Sequence, residues 1–301
     1  MIQSISNPQV KCFFDQQTNT ASYIVIDELT KKCAIFDSVL DFDYFTGKIS
    51  YTNAEKLINF IISNKLELEW LNETHIHADH LSAAPYIKNK LGGNIGISSE
   101  IIQLQKIFGK VFNSGTEFEM DGSQFDRLFV DGDNYQIGNL ECTTMLTPGH
   151  TPECMTHIIG DAAFVGDTLF MPDGGTARAD FPGGDANELY NSIKKILSLP
   201  EDTRIFVCHD YMPEGREVKW ETTVAEQKQN NIHINDTIDK DHFVKMRQER
   251  DSNLSTPKLM IPSIQVNIRA GKMPPKEEDG NIYLKVPISG LKNQVKKGDT
   301  R

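Results

Sequence analysis

Three histidines and an aspartate fall within six residues in the stretch Thr74 to His80, THIHADH. Histidine is the commonest protein ligand for transition metals, and a neighbouring carboxylate adds a hard anionic donor. His75, His77, Asp79 and His80 are therefore candidate metal ligands. Where the backbone is extended, residues i and i+2 project to the same side, so His75 and His77 can converge on one point. Asp79 and His80 lie where the chain is already turning and can face a second point nearby. The cluster can build one metal site or two. A polar helix cap, with Asp79 or Ser82 as the capping residue, is the competing use. Three histidines so close together have no capping or packing use, and ligation is the reading adopted.

The surrounding sequence places this cluster on a strand-to-helix turn. Leu66 to Trp70, LELEW, is apolar at alternate positions, as in a half-buried strand, and Leu81 to Leu91 reads as a helix stopped by Gly92 and Gly93. Three further strands each end at a residue of metal-binding type. Leu140 to Leu146 leads into TPGHT and presents His150, Ala162 to Val165 leads into GDT and presents Asp167, and Arg204 to Cys208 leads into HDY and presents His209. Strand ends that deliver side chains to one sheet edge are a common way to assemble a site, so the repetition carries more weight than any one position.

Upstream, Val10 to Phe14, Ser22 to Asp27 and Lys32 to Asp37 read as a strand meander. Asp37, Asp41 and Asp43 are assigned to a solvated loop. Thr52 or Asn53 caps a helix with Leu57, Ile58, Ile61 and Ile62 on its apolar face. Asn94 to Ile97 is a short strand, and Ser98 or Ser99 opens a helix ending near Gly109. Residues 110 to 134 read as a long surface excursion containing a DGDN turn. Two hairpins follow, turning at Gly138-Asn139 and Gly160-Asp161. Asp185 and Glu188 form a capping-box-like start to a helix over Ala186 to Leu197.

With 301 residues, 39% hydrophobic and 24% charged, the composition is that of an ordinary soluble globular protein. The chain is long enough for one large domain, or one domain with an extension. The net charge of −11 argues against binding nucleic acid or an anionic membrane through a global field. No run is long enough to span a membrane, and Met1 to Gly47 lacks the pattern of a signal peptide, which makes the cytoplasm the expected location. Five widely spaced cysteines without CxxC point to buried apolar thiols, Cys154 included, rather than a disulfide framework.

THIHADH, TPGHT, GDT and the late HD, in this order, resemble the metallo-β-lactamase superfamily over about residues 10 to 233. The resemblance implies an α/β fold, the αββα sandwich of two facing mixed sheets with helices outside and the metal at one edge. In two-metal members His75, His77 and His150 would hold one ion, Asp79, His80 and His209 the other, and Asp167 would bridge them. Fold alone does not decide the reaction.

GGTARADFPGGD (Gly174 to Asp185), the segment from HDY to His233, and the extension with FVKMRQERDSNL and LMIPSIQVNIRAGKMPP narrow the resemblance to persulfide (sulfur) dioxygenases of the β-lactamase hydrolase-like type. That similarity divides the chain into a catalytic domain, residues 1–235, and an extension, residues 236–301, packed on or continuous with it. It implies one Fe(II) per chain held by His75, His150 and Asp167, with His77, Asp79, His80 and His209 remaining around it. Two neutral imidazoles and one carboxylate on one face of Fe(II) leave positions for substrate sulfur and O₂, whereas zinc cannot pass electrons to oxygen. Asp79, His209 and Tyr211 would then serve catalysis by hydrogen bonding and proton relay, with Asp210 orienting His209.

Arg178, Tyr211, Lys228 and His233 are the candidate substrate contacts. Arg178 can either grip a carrier's carboxylate or pair with Asp180. Near Lys228 and His233 the glutathione-specific members carry arginines, so the carrier thiol stays open here. The implied partners are a small-molecule persulfide such as glutathione persulfide and O₂, without nucleic acid or membrane, and a homodimer is left open. The alternative is a binuclear hydrolase with two Zn²⁺, of the glyoxalase II-like thioesterase type. A metal-binding regulator without catalysis is disfavoured by Arg178 and Tyr211 beside an intact ligand set.

Overall fold

Period-2 alternation sets the layering of the first sheet. β1 (Gln9–Asp15), β2 (Thr20–Ile26) and β3 (Lys32–Phe36) form an antiparallel meander, with Tyr23 opposite Phe36 and Ile24 opposite Ile35. Ala21, Tyr23, Val25, Ala34 and Phe36 point into the space between two sheets, while Ile24, Ile26, Cys33 and Ile35 point the other way onto helices. A strand buried on both faces reads as a continuous apolar run, which is the pattern of β2.

The computed structural model describes residues 7–288. After the meander come β4 (Val39–Asp43), β5 (Lys48–Ser50), α1 (Thr52–Ser63), β6 (Glu67–Asn72), β7 (Leu81–Ser82), α2 (Ala84–Leu91), β8 (Asn94–Ser98), α3 (Ile101–Val111) and β9 (Arg127–Phe129). β10 (Asn134–Ile137), β11 (Leu140–Leu146), β12 (Met155–Ile159), β13 (Ala162–Phe164), α4 (Ala186–Ile196), β14 (Arg204–Phe206), β15 (Glu221–Thr223), α5 (Val224–Asn230), α6 (Lys240–Asp251) and α7 (Met260–Asn267) complete the order. Among the described residues one mixed sheet runs β1-β2-β3-β6-β8-β9, a second β10-β11-β12-β13-β14-β15, and a small third sheet β5-β4-β7.

The two large sheets face each other across Tyr23, Phe36, Phe129, Phe164 and Phe206. α1, α2, α3 and α7 cover the outer face of the first sheet through Leu57, Ile87, Leu104 and Ile264, and α4, α5 and α6 cover the second through Leu189, Val224 and Phe243. This is the αββα sandwich. Burying such side chains is worth roughly 1.5 to 3 kcal/mol each, so the faces of the helices follow the cores they close. No helix among the described residues is long and apolar enough to cross a membrane.

Several local expectations are corrected. Residues 110–134 are not a surface excursion: Phe112, Phe118, Phe125 and Phe129 are buried, and β9 extends the first sheet as a parallel strand against β8. The aromatic spacing there follows neither helix nor strand period, which hid it. Neither Thr52 nor Asn53 caps α1; Asp41 does so from β4, accepting the Asn53 N–H at 3.0 Å. Asp41 is therefore a tie between elements, while Asp43 holds the exposed hairpin turn through the Phe45 N–H at 2.9 Å. α2 begins at Ala84, after a two-residue strand, and Ser82 Oγ accepts the Ala84 N–H at 3.1 Å. Ile62 is exposed.

The C-terminal segment docks at two points. Phe243 of α6 enters the core under the second sheet, and Met260, Ile264 and Val266 of α7 enter the core under the first. Residues 289–301, the end of the extension, lie outside the described residues.

Candidate metal centre

The loop between β6 and β7 carries the histidine cluster, and buried groups from three distant parts of the chain hold its backbone. Asp37 accepts the Thr74 N–H at 2.8 Å and the Thr74 hydroxyl at 2.9 Å, and Glu153 accepts the Ile76 N–H at 2.8 Å. Asn267, the last residue of α7, donates to the carbonyls of His77 and His80, both at 2.8 Å, and accepts the Ser82 N–H at 2.9 Å. Asp37 is buried and belongs to this site, not to a solvated loop.

His150 follows Gly149, whose φ of +135° and close approach to α4 leave no room for a side chain: a Cβ there would lie 2.2 Å from the Leu189 nitrogen. The His150 Nδ1–H is 2.7 Å from the Arg178 carbonyl oxygen, which turns Nε2 inward as the ligand atom. Asp167 follows β13 and His209 follows β14, a parallel pair, so both strands deliver their ends to one edge.

At that edge His75, His150 and Asp167 offer ligand atoms within 4.8 Å of one another. Asp167 Oδ2 lies 3.7 Å from His75 Nε2 and 3.6 Å from His150 Nε2, and its Oδ1 lies 3.3 Å from His209 Nε2. Asp79 Oδ2 is 3.4 Å from His209 Nε2, and His77, Asp79 and His80 form a second compact group. His77 turns its Nε2 toward two buried carboxylates, Asp37 at 2.9 Å and Glu73 at 3.2 Å. All seven sequence-derived ligand candidates thus gather at one place.

The electrostatics fit a cation. Asp167 Oδ1, His209 Nε2, His80 Nε2 and His77 Nδ1 are buried without a hydrogen-bond partner. Each such atom costs about 1 to 3 kcal/mol unless something occupies it, and four of them in one cluster have the donor chemistry of a metal site. Burial, reinforced by His77, His150 and His209, pushes His75 well below its ordinary range and keeps it a neutral ligand. Burial and His77 likewise push His80 down to about 4. His77 and His209 move up despite burial, because Asp37 acts on the first and Asp167 and Asp79 on the second.

A cavity of about 440 Å³ opens on the candidate ligands Asp79, His150 and Asp167 and is bordered by Phe170, Tyr211 and Leu254. A larger, more open recess of about 1080 Å³ lies by Glu67, Trp70 and Glu141, at the other end of β6 from the histidines, and among the described residues no metal-type cluster falls there. The smaller cavity is the one with chemistry.

The candidate substrate contacts divide. Tyr211 borders the cavity and lies parallel to His209, with ring centroids 5.9 Å apart. Arg178 borders it too, but its fork is spent on Asp180 at 2.5 and 2.9 Å and on the Ser255 carbonyl at 2.7 Å. Lys228 is ion-paired with Glu201 at 3.7 Å and does not border the cavity. His233 is buried behind the Gly-rich loop, where it accepts the Thr176 N–H at 3.0 Å; a Cβ on Gly175, whose φ is +78°, would lie 2.1 Å from its ring. Asp210 does not orient His209; it accepts two hydrogen bonds from Arg216, at 2.6 and 2.7 Å. His209 Nδ1 faces the Asn19 carbonyl at 3.2 Å instead. Asp185 caps α4, accepting from Asn187 and Glu188 N–H groups. Cys154 is a buried thiol beside the Thr151 hydroxyl at 2.9 Å.

Residues 18–209 match the metallo-β-lactamase superfamily domain, more than half of the chain. The chain belongs to the metallo-β-lactamase superfamily. Within it, the chain is 50% identical over 292 residues to a probable metallo-hydrolase of Burkholderia pseudomallei, covering 94% of this chain and 99% of that one. It is also 50% identical to glyoxylase B2 of Dictyostelium discoideum, over 94% and 98% of the two chains. The human mitochondrial persulfide dioxygenase ETHE1 is 29% identical, over 87% and 88%. The crystal structure of ETHE1 from Myxococcus xanthus superposes with a TM-score of 0.69 at 25% identity, over 87% of this chain and 99% of that one. A metal-dependent enzyme with hydrolase-like relatives is what superfamily membership supports.

Glu73, Glu153, Arg247, Arg250 and Asn267 escaped the sequence reading, and Asp37 was misassigned by it. Only the two arginines left a local signal, an i, i+3 pair on one face of a helix.

Proposed function

We propose that this member of the superfamily is a persulfide dioxygenase that uses one Fe(II) per chain and O₂ to convert a thiol persulfide to sulfite and thiol. The observation that carries the reading is the compact group of two imidazoles and one carboxylate, His75, His150 and Asp167. The similarity to the persulfide dioxygenase ETHE1 supports the same choice. The reaction balances as R–S–S⁻ + O₂ + H₂O → R–SH + SO₃²⁻ + H⁺, with the terminal sulfur oxidised and O₂ reduced. Bound there, iron(II) would supply a redox-active centre with positions free for both reactants.

The chain's own residues do the rest. His75 and His150 serve as neutral donors, the latter fixed by its bond to the Arg178 carbonyl. Ala78, Phe170 and Leu254 line the cavity with apolar surface. The Tyr211 phenol keeps its proton at neutral pH and can donate it to substrate sulfur. His209, between Asp79 and Asp167, can hold a proton for the departing thiol.

A second reading, a binuclear zinc thioesterase, draws on the unpartnered Nδ1 of His77 and Nε2 atoms of His80 and His209, and on relatives named metallo-hydrolase and glyoxylase. Metal analysis of protein purified without oxygen separates the two. About one iron per chain, with O₂ uptake on adding glutathione persulfide, is the expected result. Two tightly held zinc ions with thioester turnover would establish the second reading.

A further inference from the structure

Two loops border the cavity beside the metal-type residues. One follows Asp167 and contributes Phe170, Asp173 and Gly174; the other follows His209 and contributes Tyr211 and Pro213. The second loop, residues 211–219, lies between β14 and β15 and includes the 3-10 turn Pro213–Gly215. Met212 at φ +46° and Glu214 at φ +59° are non-glycine residues in the left-handed region, a conformation that persists only where the surroundings hold it.

Arg216 supplies the hold. Its Nη1 donates to Asp210 Oδ2 at 2.6 Å and to the Glu217 carbonyl at 2.8 Å, and its Nη2 donates to Asp210 Oδ1 at 2.7 Å and Asp173 Oδ1 at 2.8 Å. Nε donates to Asp173 Oδ2. One guanidinium thus bridges carboxylates from both loops, Asp210 buried and Asp173 half exposed. Asp210 also accepts the Met212 N–H at 3.2 Å and the Lys219 N–H at 2.7 Å, which gathers both ends of the loop on one carboxylate. Among the described residues, the hydrogen bonds found between residues 211–219 and the chain beyond Asp210 are those from Arg216 to Asp173. Tyr211 adds ring contacts, parallel to His209 at 5.9 Å between centroids and edge-on to Phe170 at 5.6 Å. Phe170 and Asp173 belong to the same loop, so the ring contact and the ion pair join the same two walls.

We propose that Arg216 is a positioning residue, a latch that ties the loop after His209 to the loop after Asp167 and thereby fixes Tyr211 at the wall of the cavity. The inference rests on the persulfide reading only for the reaction that Tyr211 serves. Arg216 is not among the residues that line the cavity, and its guanidinium donors are all engaged, so it acts through the loop and not on substrate. A lysine offers a point charge and cannot span both carboxylates as a planar fork does.

Hydrogen exchange of the metal-loaded protein, read by mass spectrometry, tests the latch, and steady-state turnover tests what it serves. In Arg216→Gln the amides of residues 211–219 should exchange about tenfold faster, while those of β13 and β14 keep their rates. Unchanged exchange in the loop overturns the proposal. In O₂ uptake with glutathione persulfide, kcat should fall about tenfold in Arg216→Gln with KM within about twofold of wild type, and Arg216→Lys should recover part of the loss. A double-mutant cycle carries the assignment to Tyr211: adding Arg216→Gln to Tyr211→Phe should lower kcat little beyond Tyr211→Phe alone. Losses that multiply in the double variant overturn the proposal, because Arg216 would then act on the fold at large. A lowered melting temperature with unchanged turnover overturns it as well. An iron-loaded wild type that takes up no O₂ defeats the persulfide reading, yet loop exchange, with the same cycle read on thioester hydrolysis, still decides Arg216.

Discussion

Asp167 gives one oxygen to each half of the site, Oδ2 toward His75 and His150 and Oδ1 toward His209. It is the only carboxylate in the proposed iron group, so its charge offsets that of the cation directly. Asp167→Asn keeps the shape but replaces an anionic oxygen with a neutral amide. Iron affinity should drop on the order of a hundredfold or more, beyond what loss of an orienting neighbour costs. Iron content after dialysis against a weak chelator reports it, and full occupancy in the variant would show that the ligands are misassigned. Asp79→Asn separates the two metal readings at the same scale. With one iron its stoichiometry stays at one per chain, whereas a binuclear site would lose its second ion.

At the scale of elements, α6 and α7 act as braces for loops that belong to the catalytic sheets. Asp251 of α6 accepts the Ala179 N–H at 2.8 Å, next to the carbonyl that orients His150, and Asn267 of α7 clamps the histidine loop by three hydrogen bonds. Asn267→Leu leaves two buried carbonyls and one N–H without partners, a loss of about 2 to 4 kcal/mol if the loop relaxes in part. Urea unfolding should show that loss, and chelator competition should show weaker metal retention. A variant with lowered stability but unchanged metal affinity would make Asn267 a packing residue only. This scale is also where sequence reasoning stops. The candidate ligands that the structure gathers were legible because residue type and local spacing announce them: THIHADH in one turn, and His150, Asp167 and His209 each at the end of an apolar run. The meander, the hairpins and α4 were legible for the same local reason. What holds the ligands was not. Asp37 meets His77 from 40 residues away, and Asn267 reaches the His77 carbonyl from 190. Nothing in either local sequence marks such a pairing, so Asp37 read as loop and Asn267 as the tail of an extension. Arg178 shows the intermediate case, since both of its candidate partners were named and only geometry chose Asp180.

For the whole molecule, the interface between the two sheets contains a titratable group unrelated to the metal. His157 of β12 is buried among Phe36, Phe129 and Tyr135, its Nδ1 2.9 Å from the Tyr135 hydroxyl and its Nε2 without a partner. Burial lowers its pKa from 6.5 to about 4. The folded state therefore keeps it neutral where the unfolded chain binds a proton. Stability from this group is fully present above pH 6.5 and is lost progressively as pH falls toward 4. At about 1.4 kcal/mol per pH unit the whole window amounts to roughly 3 kcal/mol, a large share of the 5 to 15 kcal/mol typical of a folded domain. His233, lowered to about 4 by burial and by Arg247 and Arg250, acts with the same sign. Asp37 acts at lower pH: despite burial, His77 holds its pKa below 3.8, so its contribution is lost only as the carboxylate protonates in that range. Urea unfolding of the protein between pH 4 and 7 should show stability rising with pH across the histidine window. His157→Asn keeps an acceptor for Tyr135 and removes the titration. It should lower stability at pH 7, because the smaller side chain leaves space between the sheets, while flattening the slope below 6.5 by about one proton. A slope as steep as that of wild type would mean that the proton lost on folding belongs elsewhere, and His157 would then be a packing residue alone.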